Sequence, residues 1–152
     1  MNGLAVWIAT SGPAGYAPVA PGTFGSAVGV ALFLLIGRLS LEAQIAVSVV
    51  MAAVGIWASS VAAHHFDRSD PSQVVVDEVV GQVVTLVGLG LSWTTLLLGF
   101  LIFRALDIIK PWPANQLERL HGGRGIMADD LMAALYGQAL LRGIIYFFPW
   151  YF

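Results

Sequence analysis

Two pairs of adjacent carboxylates interrupt otherwise apolar sequence: Asp77 and Glu78 in VVVDEVVGQVV, and Asp129 and Asp130 in GGRGIMADDLMAAL. A carboxylate in an apolar segment is costly unless something neutralises it. Each pair therefore implies a cation or a basic partner. The chain has no cysteine and three histidines, so a carboxylate set of this kind suits a hard cation with oxygen ligands, Mg²⁺ above all. Basic residues stand nearby in FRALDIIKPWP, where Arg104, Asp107 and Lys110 fall three residues apart and drift slowly around one helix face. They could form an intrahelical ladder at a membrane surface, or Arg104 and Lys110 could hold a phosphate while Asp107 holds a metal. Spacing alone leaves both open.

Arg124 lies among Gly122, Gly123 and Gly125. Its planar guanidinium suits phosphate, and the glycines free the backbone to approach a ligand. Asp129 and Asp130 are expected to open the final apolar helix, where two acids exceed what a cap requires. Asp130, Ala134 and Gln138 then share one face. Asp77 is expected near a helix start, where the macrodipole favours an acid. Glu78 leads a polar stripe of Gly81, Gln82 and Thr85, and as a purely structural residue it would pair with Arg104 or Arg124. Adjacent helical positions point about 100° apart, so Asp77 and Glu78 are not expected to serve one ligand in the same way. In APGTFGS, Thr23 is expected to cap a helix beginning at Phe24, with Ser26 in its first turn. Gly22, Thr23 and the first amides there could bind an anion, although Gly-Thr before a helix is also an ordinary start. His64, His65 and His121 read as polar tips and loop residues.

These candidates sit in a chain of unusual composition. Of 152 residues, 58% are hydrophobic and 11% charged, and the mean hydropathy is +0.81. A typical globular chain carries about 25% charged residues. Residues 1–37, 43–63 and 79–103 contain no Asp, Glu, Lys or Arg. The last two stretches are long enough to cross a hydrocarbon core of roughly 30 Å, so an integral membrane protein forming a single domain over 1–152 is expected. A net charge of −2 and the absence of a basic run argue against a nucleic-acid partner. The N-terminus lacks a basic n-region and is broken by Pro13, Pro18 and Pro21, so a cleaved signal peptide is not expected. Thirteen of the sixteen formal charges fall within 64–78 and 104–130. Ionisable residues at the edges of apolar segments are functional candidates in a membrane protein.

Hydropathy suggests four spans, about 24–38, 42–63, 79–103 and 131–150. Four crossings would place the two charged windows on opposite sides of the membrane. Gly88, Gly90 and the N-cap signal at Ser92 instead divide the third stretch into helices over 77–88 and 93–108. Hairpins 24–66 and 77–108 would then return all the polar windows to one face. The preferred fold is thus all-α, a bundle of short helical hairpins in a membrane with polar loops gathered on one side. Arg68, Arg104, Lys110, Arg119 and Arg124 make that side cytoplasmic, with Arg38 the main exception.

The stretches GYAPVAPGTFGS, DPSQVVVDEVVGQ, FRALDIIKPWP and ERLHGGRGIMADDLMA together resemble the phosphatidylglycerophosphatase A family, Mg²⁺-dependent bacterial membrane enzymes of phosphatidylglycerol synthesis. Ala134 departs from the pattern, where Gly would be expected. The resemblance implies hydrolysis of phosphatidylglycerol phosphate at the cytoplasmic edge of the bacterial inner membrane, on an all-helical fold shared with soluble members. The residues themselves supply the roles: Asp77, Glu78, Asp129 and Asp130 would gather one or two Mg²⁺, and Asp107 would complete the shell or act as general base. Arg104, Lys110 and Arg124 would neutralise the phosphate, and Gly22, Thr23 and Ser26 would donate hydrogen bonds to it. The lipid substrate and the bilayer are the implied partners, with no obligate protein partner evident. Two rivals remain: a non-catalytic ion pathway or scaffold with structural charges, and a phosphatase acting on another lipid phosphate.

Overall fold

A computed structural model describes residues 2–117, 120 and 122–151; Glu118, Arg119 and His121, named above, lie outside the described residues. The described chain is helical, with α1 (Asn2–Ala9), α2 (Pro21–Ile36), α3 (Leu41–Phe66), α4 (Val76–Leu86), α5 (Trp93–Ile109), α6 (Ala114–Leu117) and α7 (Gly123–Phe147). Short 3₁₀ turns cover Ala14–Tyr16 and Pro149–Tyr151.

The short helix α4 is the centre of the bundle. Valine-rich sequence is not strongly helix-forming, but nine of its eleven residues, from Val76 to Leu86, are buried among neighbouring helices. α2 lies alongside in the same direction, because Gly22, Gly25 and Gly29 meet α4 at Glu78, Val75 and Val79 in turn. A Cβ at Gly29 would come within 2.6 Å of the Val79 carbonyl, so glycine permits this close backbone approach. α7 is also parallel to α4: Gly81 faces Asp130, and Gly137 faces Thr85. α5 runs the opposite way, with Phe103 against Gly81 and Leu86 against Gly99. α3 is likewise antiparallel to α7, since Ser60 meets Gly123 while Gly55 meets Met127. Ser92 caps α5 by accepting from the Thr95 amide at 3.0 Å, as its sequence signal suggested.

Several boundaries differ from expectation. α2 begins at Pro21 with Ala20 as its cap, so Thr23 is a first-turn residue and not the N-cap; proline at the first helical position has its φ already set. α7 begins at Gly123, so Asp129 and Asp130 lie about two turns into it and do not open it. Gly123 is buried there because a Cβ would overlap the Ile56 carbonyl and crowd Ser60. The glycines of this stretch thus serve helix packing at Gly123. Its amide donates to Ser60 Oγ at 3.1 Å.

Among the described residues, α3 is the one helix long and apolar enough to cross a membrane by length and composition, with 26 residues and mean hydropathy 2.1. Its outer face carries Ile45, Val49, Val50, Val54 and Trp57, all exposed, while Gln44, Ser48 and Ser59 are buried. That is an inverted pattern, apolar outside and polar inside. α2 spans only 16 residues, roughly 24 Å. The expected division of the third apolar stretch holds, with α4 and α5 separated at residues 87–92.

Candidate active site

Three helix N-termini, those of α2, α4 and α7, open onto one cavity of about 620 Å³. The C-terminal end of α5 forms another wall through Asp107 and Lys110, and residues 69–72 close one side. The charged windows separated by hydropathy counting therefore share a site. Parallel N-termini bring positive dipole ends to the same place, which favours the acids gathered there and any incoming anion.

The wall carries Asp70, Asp77, Glu78, Asp107, Asp129 and Asp130, together with Lys110. Asp77, Glu78 and Asp130 each offer a carboxylate oxygen such that the three atoms lie within 4.8 Å of one another. Asp77 and Glu78, expected not to serve one ligand in the same way, nonetheless both offer oxygens at one point. They diverge around α4, but α7 brings Asp130 to the same point and the Glu78 side chain is long enough to reach it. Asp77 Oδ1, Glu78 Oε2 and Asp130 Oδ2 are buried without a hydrogen-bond partner among the described residues. Buried polar atoms are ordinarily satisfied, and three clustered carboxylate oxygens lacking donors fit a hard cation.

The electrostatics point the same way. Burial, then repulsion from Glu78 and Asp130, pushes the Asp77 carboxyl well above the ordinary carboxylate range. Burial, then repulsion from Asp107 and Glu78, does the same to Asp130. Glu78 is also raised by burial, although Arg104 opposes the shift. These shifts favour the protonated carboxyls, and a cation bound at the cluster would oppose them.

Arg104 and Lys110 act from α5. Arg104 Nη1 lies 3.7 Å from Glu78 Oε1, and the same nitrogen donates to Asp107 Oδ2. The structural pairing of Glu78 with Arg104 and the intrahelical Arg104–Asp107 contact are both present. Gly22 makes room for them, because a Cβ there would overlap Glu78 Oε1 and come within 3.1 Å of Arg104 Nη1. Lys110 ends α5 in a left-handed conformation, φ 47°, and donates to Asp129 Oδ2 at 2.6 Å. Asp129 therefore stands beside the carboxylate cluster, held by an ammonium, and not within it. Burial raises its carboxyl and Lys110 opposes the rise.

Other candidates are placed elsewhere. Arg124 is exposed in the first turn of α7 and does not line the cavity, because the helix starts one residue before it and carries its side chain outward. Ser26 is fully buried, and its hydroxyl donates back to the Gly22 carbonyl at 3.1 Å. Thr23 does not line the cavity, whereas Gly22 does. Arg124 is thus not brought to the phosphate-binding position expected of it, and the Ser26 hydroxyl is already committed. Sequence reasoning overlooked Pro21, Ser69, Asp70 and Ser72, which do line the cavity; the Asp-Pro-Ser turn was the available signal. The polar stripe below Glu78 is internal. Thr85 donates to the Gly81 carbonyl at 2.9 Å, and both amide atoms of Gln82 are buried without partners among the described residues.

Residues 7–145 match the family model for Phosphatidylglycerophosphatase A. The chain belongs to the phosphatidylglycerophosphatase A family. It is 34% identical over 135 residues to the Escherichia coli phosphatidylglycerophosphatase A, covering 88% of this chain and 76% of that one. The Haemophilus influenzae protein of the same name is 33% identical, with 84% of this chain and 80% of that one covered. A Bacteroides thetaiotaomicron protein, named provisionally as a phosphatidylinositol-3-phosphatase, is 35% identical and matches 91% of each chain. No solved structure matches. As a member of this family the protein is an enzyme, a phosphatase, which removes the reading of a non-catalytic ion pathway or scaffold.

Proposed function

We propose that the protein hydrolyses the terminal phosphate of phosphatidylglycerol phosphate, in a Mg²⁺-dependent reaction at the cytoplasmic edge of the bacterial inner membrane. One observation carries the reading: in a chain of this family, Asp77, Glu78 and Asp130 converge within 4.8 Å beside Lys110 and Arg104. Those three carboxylates would hold Mg²⁺, with Asp129 adjacent. When bound, Mg²⁺ supplies charge neutralisation and Lewis-acid polarisation of the phosphoryl group.

The remaining work falls to the chain. Lys110 offsets the charge of the phosphate from the cavity wall, while Arg104 holds Glu78 and Asp107 in place from behind it. The open first turn of α2 at Pro21 and Gly22 presents the positive end of a helix to the same phosphate. Asp107 takes the proton from the attacking water as its oxygen bonds to phosphorus and the bond to the glycerol oxygen breaks. The released glycerol oxygen regains a proton, giving phosphatidylglycerol and inorganic phosphate. The inverted face of α3 supports insertion into a bilayer, and Arg68, Arg104, Lys110 and Arg124 at the cavity end support a cytoplasmic orientation.

Phosphate release from phosphatidylglycerol phosphate in detergent, with and without Mg²⁺, tests this. Phosphatidic acid and phosphatidylinositol 3-phosphate are run alongside. Mg²⁺-dependent release confined to the first lipid is expected. Preferential release from phosphatidylinositol 3-phosphate would favour the second reading, another lipid phosphomonoester, which the name of the Bacteroides relative supports.

A further inference from the structure

The active-site cavity explains where a headgroup would sit, but a lipid substrate also brings acyl chains. Three apolar grooves run along the outside of the bundle. One lies between α3 and α7 and reaches Leu41 and Arg142 at the end remote from the active site. A second lies among α1 to α4 and is bounded by Trp7, Ile8 and Ser11. The third, about 250 Å³, is bounded by Ala27 and Val30 of α2 and by Trp93, Leu96, Leu97 and Phe100 of α5.

The third is walled by α2 and α5 alone, which both reach the catalytic cavity at their other ends, whereas α4 also walls the other two. α2 contributes Pro21 and Gly22 to that cavity, and α5 contributes Asp107 and Lys110. On α5, Trp93, Leu97, Phe100, Arg104 and Asp107 recur at alternating four- and three-residue spacing, which places them on one helix face. That face is apolar along the groove and charged where it meets the site. On α2, Thr23, Ala27 and Val30 follow the same spacing, with the hydroxyl residue nearest the cavity. From Trp93 to Asp107 the rise is about 21 Å. One leaflet of hydrocarbon is about 15 Å deep, half of the roughly 30 Å core, so the stripe spans a leaflet and the headgroup layer above it. The groove is also open to the side: Ala27 is exposed, as are Phe24, Leu97 and Leu101 around it.

We propose that the seam between α2 and α5 is an acyl-chain site, holding one alkyl chain of the substrate lipid while its phosphate reaches the carboxylate cluster. The inference rests on the proposed lipid substrate and adds the route by which that lipid enters, sideways from the bilayer between α2 and α5. The seam is lined by apolar residues and open on its outer side, so long-chain lipids would gain binding there that a truncated substrate lacks.

The test compares kcat/KM for long-chain and dihexanoyl phosphatidylglycerol phosphate in Ala27→Trp, Leu97→Trp and Val49→Trp. Val49 lies on the outer face of α3, away from the seam. Filling the seam from either wall is expected to lower the long-chain to short-chain ratio by about tenfold or more, with Val49→Trp keeping the wild-type ratio. Two seam variants are used so that a folding defect in one, seen as a lowered melting temperature, leaves the other to decide. In parallel, a long-chain lipid phosphate with a diazirine at mid-chain is photolysed with the wild-type protein in nanodiscs without Mg²⁺. Cross-links are expected on α2 and α5. An unchanged ratio in a folded seam variant, or cross-links concentrated on α3 and α7, would overturn the proposal. Failure of the wild type to release phosphate from either chain length would instead reject the substrate reading, while the cross-links still report on the seam.

Discussion

Lys110 Nζ lies 2.6 Å from Asp129 Oδ2, tying the C-cap of α5 to the second turn of α7 across the active-site cavity. Asp129 is almost fully buried, whereas Lys110 remains partly open to solvent. Removing the ammonium would leave a buried carboxylate without that cation. Lys110→Met is therefore expected to lower unfolding stability by about 2 kcal/mol, less than for a fully buried pair. Adding Asp129→Asn should recover most of that loss. Denaturant unfolding in detergent measures both, and the double variant stays inactive if Lys110 serves the phosphate.

Gly22→Ala separates chemistry from folding. The added Cβ meets the far end of the Glu78 side chain and approaches Arg104 Nη1, so a flexible carboxylate must move and the backbone need not. A fall in kcat of about 100-fold is expected, from a misplacement on the order of 1 Å, with the melting temperature nearly unchanged. A large loss of melting temperature with normal kcat would contradict the placement of Glu78.

The carboxylate cluster is expected to make stability depend on pH and, through the proposed Mg²⁺ site, on that ion. Asp77 and Asp130 have folded-state carboxyls raised above their unfolded values. Between the unfolded value near pH 4 and the raised folded values, the native state binds more protons, so stability falls as pH rises through that window. Mg²⁺ binds the deprotonated form. Its stabilisation of the protein should therefore be small at pH 5 and larger at pH 8, as read by thermal unfolding with and without the ion.

Gln82 is fully buried, and neither amide atom has a partner among the described residues. Replacing an unsatisfied polar group by an apolar one of similar size removes a desolvation cost. Gln82→Leu is expected to raise stability by about 1 kcal/mol, measured by denaturant midpoint at constant slope.

Arg124→Ala should keep activity within about threefold of wild type, since surface changes away from a site have small effects and this side chain is exposed outside the cavity. Phosphate-release kinetics decide the point. A loss as large as that of Lys110→Met would return Arg124 to the site.

The sequence disclosed the helical class, the break at Gly88 to Ser92, and several of the charged residues that gather in the cavity, Asp77, Glu78, Asp107, Lys110, Asp129 and Asp130, because charge sorting and glycine placement are local signals. Helix directions around α4 were less visible. The separation of Asp77 and Glu78 around one helix said that they would not serve a ligand in the same way, but not that Asp130 of α7 would join them at one point while Asp129 stands beside it. The GGRG stretch looked like a ligand loop because three glycines free the backbone, yet Gly123 answers to the Ile56 carbonyl across a helix contact. Contacts of that kind depend on which helices become neighbours, and no local spacing encodes them.

Residues 69–72 line the cavity without belonging to a helix, and Ser69, Asp70 and Ser72 are exposed. Glu78, Gly22 and Asp130 have no such freedom, since each is also part of a helix–helix contact. The short turn can therefore change in sequence without disturbing helix packing, whereas the carboxylates cannot readily be edited without rebuilding the bundle. One wall of the cavity is thus free to vary while the other is fixed by the packing of the helices that carry it.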